Sequence, residues 1–301
     1  MLKFKTFEGK NGVPLAWRHY PAEGNKAVVF LTGRWEYFPK YEELYDKLNL
    51  YGYHVFTYDH RGQGFSGRVL DDPQKGHVEN FSDYVEDMET FMDTIVLPEK
   101  IEDIFALSHS MGGAVSFLYM EKHPEVFKAS VFSSPMFKIG SFILPESLIE
   151  TVVKVSSINR KDTDYAPTCG PYNPNRPFRN NFITHDYMLY KKMLLFYKEH
   201  PEAVLGDPTV GWIREAVKAC RYIREKAENF SVPFLLFQGG KDKVVDASGQ
   251  NTVCEKAKNA EKMVFPDAWH EILYEIDTIR VKAHHSLIAY FERFCSDSSN
   301  N

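Results

Sequence analysis

Cysteine is scarce in this chain. Four thiols occur in 301 residues, Cys169, Cys220, Cys254 and Cys295, and no two stand at C-x-x-C spacing. That excludes a zinc-finger module and a disulfide framework. Long hydrophobic runs are missing too. No stretch of 18 apolar residues occurs, and the opening Met1-Leu2-Lys3-Phe4-Lys5 has no leader-like apolar run. Neither a spanning helix nor a signal peptide is therefore expected, and a reducing cytoplasm is the expected location. Positive charge is not in excess: 36 Lys and Arg stand against 41 Asp and Glu, a net of −5. This argues against a general binder of nucleic acid or a polybasic membrane binder. No internal repeat or low-complexity segment is evident. What is abundant is aromatic character, 15% of residues with 23 Phe and 17 Tyr, more than the core of a chain this size requires. The remaining mix, 44% hydrophobic and 26% charged, is that of an ordinary globular protein able to bury a large core without staples.

Hydrophobic patterning predicts alternating strands and helices. Phe4 to Tyr20 reads as a hairpin around Asn11-Gly12. Apolar runs at 27–31, 54–58, 104–107 and 129–132 read as buried strands, with helices expected over 41–50, 81–96 and 112–122. Continuous apolar strands separated by helices imply a parallel sheet covered on both faces. The rhythm stops near Met136 and resumes with strands at 232–237 and 262–265 and helices over 249–259 and 279–294. The expected organisation is one α/β core, residues 1–135 and 229–301, interrupted by an insertion at 136–228. That insertion is Pro-, Tyr- and Phe-rich and mainly helical or irregular.

In a parallel sheet, functional loops gather at the C-terminal ends of the strands. Ser108-His109-Ser110-Met111-Gly112-Gly113 follows such a strand and opens a helix. It has the form of a nucleophile elbow, a tight turn that exposes a serine Oγ, with small residues two places either side of Ser110. A serine hydroxyl needs a base, and the base an orienting acid. Past the next strands stand Gly239-Gly240-Lys241-Asp242 and then Pro266-Asp267-Ala268-Trp269-His270. The order Ser, Asp, His therefore lies along three strand ends. Of eleven histidines, most are expected on the solvated surface, His123, His284 and His285 among them; His270 alone follows the final strand. Asp246 and Asp267 compete with Asp242 for the acid, and Asp242 is nearest its strand end. A tetrahedral oxyanion needs two donors. The N–H of Met111, after the nucleophile, is one candidate, and the N–H of Arg34, in Thr32-Gly33-Arg34-Trp35, is the other. The Arg34 side chain is expected to form a structural ion pair.

Two motifs compete with this reading. Gly62-Gln63-Gly64-Phe65-Ser66-Gly67 matches G-x-G-x-x-G, but a dinucleotide site needs those glycines to open a helix. Asp71-Asp72-Pro73 follows instead, so a tight loop beneath the site is expected. His270-Glu271 begins an H-E-x-x-H pattern that Tyr274 breaks, leaving no zinc pair; no metal or cofactor is called for.

Several segments together carry a resemblance to a known family: Gly33-Arg34-Trp35-Glu36 through Lys40-Tyr41-Glu42-Glu43-Leu44, Asp59-His60-Arg61-Gly62-Gln63-Gly64, the elbow His109 to Gly113, and His270-Glu271-Ile272-Leu273. With these the chain resembles the lysophospholipase and monoacylglycerol lipase branch of the α/β-hydrolases, most of all bacterial lysophospholipases. Ser108 and Thr32 depart from that branch, which has Gly and His there. The resemblance implies an α/β-hydrolase fold with an inserted, mainly helical cap. It also implies Ser110 as nucleophile, Asp242 as acid, His270 as base, and the N–H groups of Arg34 and Met111 as oxyanion hole. The insertion carries a net charge of +3 against −8 for the rest. Aromatics such as Phe142, Tyr165, Tyr172, Phe182, Tyr190 and Trp212, most of them expected as the cap's own core, join it to Arg176, Arg179, Lys191 and Lys192. A mildly basic aromatic cap suits one acyl chain below and an anionic head group or membrane surface above. The expected function is hydrolysis of the carboxylic ester of a lysophospholipid or monoacylglycerol, with Arg176 and Arg179 as substrate-binding residues. A peripheral contact with the inner face of the membrane is expected with it. A general carboxylesterase or an acyltransferase would use the same triad. A catalytically dead fold serving as a binding module would lack a nucleophile or base, and neither is missing.

Overall fold

A computed structural model describes residues 2–140 and 161–296; Phe142 of the cap reading lies outside them. The fold is an eight-stranded sheet in the order β1-β2-β4-β3-β5-β6-β7-β8. β1 (Lys5–Glu8) and β2 (Pro14–Tyr20) form the expected hairpin, with Asn11 and Gly12 both at positive φ in its turn. β2 runs antiparallel to β4 (Tyr53–Tyr58). From there every pairing is parallel, through β3 (Lys26–Leu31), β5 (Asp103–His109), β6 (Ala129–Ser133), β7 (Phe234–Gly239) and β8 (Ala260–Phe265). β3 and β5 stand at the centre and are buried on both faces, which is why neither alternates between polar and apolar residues.

Helices cover the two faces. α1 (Glu42–Leu50) and the last helix, α7 (Asp277–Glu292), pack on one, through Leu44, Tyr45, Leu48, Leu287 and Phe291. On the other lie α2 (Ser82–Phe91), α3 (Met111–Lys122) and α6 (Ala247–Lys256), through Met88, Phe117 and Val253. Between β6 and β7 the described residues contain α4 (Tyr187–Glu199) and α5 (Val210–Lys226) and no strand. Trp212, Ala216, Cys220 and Ile223 of α5 join the same core layer as α3 and α6. Tyr190, Met193 and Tyr197 of α4 instead build a smaller cluster with Tyr37, beside the loop that holds Arg34 and Trp35.

The histidines correct the sequence reading. His60, His77, His109, His270 and His284 are buried and His285 alone is exposed. The neutral ring buries readily where its nitrogens meet polar partners. His284 reaches the Leu273 carbonyl at 3.2 Å, and His60 the Thr32 carbonyl at 3.1 Å.

Candidate active site

Ser110 stands between the end of β5 and the start of α3 with φ 52° and ψ −117°. A non-glycine residue in this region carries strain of about 1–3 kcal/mol, held by its surroundings. Here the surroundings are explicit. The Ser110 N–H donates to the Ser133 carbonyl at 3.1 Å, and the Ser110 carbonyl accepts from Gly113 at 3.0 Å and Met136 at 2.9 Å. The crowding explains the small residues. A Cβ on Gly112 would lie 2.4 Å from the Leu31 carbonyl oxygen, and one on Gly33 would lie 2.9 Å from Ser110 Cβ. Ser108, inside β5, is wholly buried beside Leu31 of β3.

Three strand ends converge at Ser110. Its Oγ lies 2.9 Å from His270 Nε2, and His270 Nδ1 lies 2.8 Å from Asp242 Oδ2. Asp242 Oδ1 accepts the N–H groups of Val244 at 2.7 Å and Val245 at 3.2 Å. Burial would push the Asp242 carboxyl up, but His270 and these two N–H donors hold it below its ordinary value. The rival carboxylates are employed elsewhere. Asp246 caps α6 through the Ser248 N–H at 2.8 Å and pairs with Lys138. Asp267 is exposed and pairs with Lys241. Met111 is the first residue of α3, where an N–H has no partner within the helix. Arg34 follows Gly33 in the loop after β3 and, like Met111, lines the same cavity as Ser110.

Behind these residues lies a buried charge network that sequence reasoning left unassigned. Glu36 Oε2 accepts the Gly33 N–H at 2.5 Å and contacts His109 Nδ1 at 2.9 Å. Its Oε1 accepts from Lys40 at 2.8 Å and from the Tyr41 hydroxyl at 2.6 Å. Lys40 continues to Glu271 at 2.6 Å, the residue after His270. Burial alone would raise the Glu36 carboxyl and lower the His109 imidazole. Their mutual contact reverses both: His109 and Lys40 hold Glu36 well below its ordinary value, and Glu36, with Glu271 adding and Lys40 opposing, holds His109 above its own. No helical spacing signalled it, because Glu36 stands before the turn that carries Lys40. Only the fold shows that His109 and Glu271 complete the set.

Gly62 to Gly67 forms a closed loop, with the Gly62 N–H on the Gly67 carbonyl at 2.9 Å. A Cβ on Gly64, at φ 53°, would strike the Asp59 carboxylate. Gln63 donates to the Gly33 carbonyl at 2.7 Å, so this loop buttresses the Arg34 loop, and its glycines open no helix.

A cavity of about 250 Å³ opens at Ser110. Met136, Ile139, Ile183, Met193, Leu194, Val244 and Val245 make much of its wall, with Trp35, Tyr172, Tyr190 and Trp212. Arg176 faces it, its guanidinium 4.6 Å above the Phe182 ring. Arg179, expected beside it, is exposed and outside the lining. It sits on the short turn Phe178–Asn180, which carries it past the cavity wall. The Arg34 side chain also departs from expectation. Among the described residues it forms no ion pair with a carboxylate, and its Nη2 donates to the Gly206 carbonyl at 2.7 Å.

Fold and site together define an α/β-hydrolase. Residues 22–277 match the family described as serine aminopeptidase, S33. The chain belongs to that family and to its lysophospholipase and monoacylglycerol lipase branch. It is 35% identical to lysophospholipase L2 of Escherichia coli strain K12, across 98% of this chain and 88% of that protein. It is 24% identical to a monoacylglycerol lipase of Mycolicibacterium smegmatis, covering 90% of each. A soluble variant of monoglyceride lipase from Saccharomyces cerevisiae, solved with a substrate analog, superposes with a TM-score of 0.78 at 19% identity, covering 98% of this chain and 96% of that one.

Proposed function

We propose that this protein hydrolyses the carboxylic ester of a monoacyl lipid, a lysophospholipid or monoacylglycerol, through an acyl-enzyme on Ser110. The observation that carries the proposal is the hydrogen-bonded series Ser110–His270–Asp242 at the base of a largely apolar cavity. Ser110 Oγ attacks the ester carbonyl as its proton passes to His270 Nε2. Asp242 holds the imidazole by Nδ1 and stabilises the imidazolium. The oxyanion is received by the N–H groups of Arg34 and Met111. Collapse of the intermediate releases the glycerol-side alcohol, which takes the proton from His270. A water deprotonated by His270 then cleaves the acyl-Ser110 ester.

The substrate class rests on the cavity and its relatives. At about 250 Å³ it falls below the roughly 300–1,000 Å³ of common small-molecule sites, which suits one acyl chain rather than two. The segment between β6 and β7 acts as its cap, and Arg176 adds a positive charge to the wall. The outer face of α4 exposes Tyr187, Met188 and Leu195 alongside Lys191 and Lys192, a pattern suited to peripheral contact with an anionic lipid surface. Among the described residues no helix is long and apolar enough to cross a membrane. The test is a release assay over monoacyl lipids, diacyl lipids and short esters. Preference for long monoacyl esters is expected; fastest turnover of acetyl and butyryl esters would replace the lipid reading with a small-molecule esterase.

A further inference from the structure

Arg34 is a half-buried cation with an unusual set of partners. Lys40 and Arg61, which are fully buried, each face carboxylates at 2.5–2.8 Å. Arg34 has no carboxylate within ion-pair distance among the described residues, its Nη2 serves the Gly206 carbonyl, and its Nε is buried without a hydrogen-bond partner. The guanidinium rests against Gly76, where a Cβ would lie 2.1 Å from Nη2 and so displace it. It stands 5.3 Å from the Trp212 ring centre. Burial lowers its pKa, while Tyr84 and Asp207 oppose that from a distance. A guanidinium has five donors in a planar fork matched to phosphate geometry, and leaving donors unmade in a buried site is costly. The residue nevertheless lines the cavity, beside Asp207, Pro208 and Trp212, and its own backbone N–H is the proposed oxyanion donor.

That juxtaposition fixes what the side chain can reach. In a lysophospholipid a glycerol spacer separates the scissile ester from the phosphodiester. With the ester carbonyl at the Arg34 N–H, the side chain of the same residue spans a comparable length to its guanidinium, held beside Gly206 and Trp212, of which Trp212 also lines the cavity. We propose that the Arg34 guanidinium is the binding group for the phosphodiester of a lysophospholipid head group, and that one residue thereby sets both the ester and the phosphate in register. This rests on the monoacyl-lipid reading above and narrows it to the phosphate-bearing class.

The test compares 1-acyl lysophosphatidylcholine with 1-monoacylglycerol of the same chain length. Hydrogen bonds to charged groups are worth about 1.5–3 kcal/mol, so Arg34→Met should lower kcat/KM for the phospholipid about 10- to 100-fold more than for the neutral ester. Arg34→Lys, which keeps the charge, should recover part of the difference. A damaged oxyanion loop or a purely structural role would lower both substrates equally, and that result would overturn the inference. Wild-type protein that cleaves monoacylglycerol but not the lysophospholipid would overturn it as well, while leaving the ester-hydrolase reading intact. Failure on both lipids would remove that reading instead. A second arm needs no variant: glycerophosphocholine should inhibit monoacylglycerol hydrolysis competitively where glycerol at the same concentration does not. Equal inhibition by inorganic phosphate would assign the site to free anions and overturn the head-group claim.

Discussion

His109 Nδ1 lies 2.9 Å from Glu36 Oε2, the same oxygen that accepts the Gly33 N–H. One carboxylate therefore ties the residue before Ser110 to the loop that carries Arg34. Through Lys40 and Glu271 the connection continues to the residue after His270. Glu36, Lys40, His109 and Glu271 are all buried.

Removing one member of a buried charged set typically costs about 3–5 kcal/mol, since the partners stay buried and uncompensated. Glu36→Ala should lower stability by an amount in that range and lower kcat as well, measured by urea denaturation and esterase assay. Unchanged stability would mean that the network is not holding the loop.

Asp242→Asn should reduce kcat about 10²- to 10⁴-fold, because His270 then loses the partner that fixes its tautomer and stabilises its charge. Asp246→Asn, which keeps a helix-capping oxygen and removes only the ion pair with Lys138, should leave kcat nearly unchanged. The acid has been misassigned if Asp246→Asn proves the more damaging of the two.

The acid assignment shows what could be read in the sequence. The convergence of Ser110, Asp242 and His270 was legible because each lies in the loop that follows a parallel strand, and parallel strands deliver their ends to one edge. The strands themselves were legible to within about two residues, since residues 27–31 of β3 and 104–107 of β5 are unbroken apolar runs. Burial of histidines was not legible. His284 falls on a helix with no marked apolar stripe, and its carbonyl partner, Leu273, lies outside that helix. Nor could the network around Glu36 be read, because Lys40 and Glu271 are 231 residues apart. Arg179 failed for a similar reason. Sequence proximity to Arg176 says nothing about which side of a short turn faces the cavity.

Acid should destabilise the fold through its buried neutral histidines. Burial pushes His284 down to about 4 from its ordinary value of 6.5. Between those values the unfolded chain binds the proton and the folded one does not, so stability is complete above pH 6.5 and falls toward pH 4. The shift corresponds to about 3 kcal/mol for a group so buried. His284→Gln should therefore flatten the dependence of Tm on pH over that interval. A variant with the wild-type slope would show that His284 does not titrate as placed.

The apolar cavity wall, part of it from the segment between β6 and β7, should make activity depend on chain length. Long-chain monoacylglycerols should have higher kcat/KM than butyryl esters, and Leu194→Asp, which puts a charge in the cavity wall, should erase the difference. Equal loss on short and long esters would indicate a disturbed fold rather than a chain-binding wall.

The most direct measurement concerns Ser110 itself. A fluorophosphonate probe should label wild-type protein at Ser110 alone, and Ser110→Ala should lose both labelling and activity with little change in Tm. The loss in kcat should be about 10⁴- to 10⁶-fold, as for other nucleophiles of this kind. Labelling at a different serine, with Ser110→Ala still active, would contradict the account.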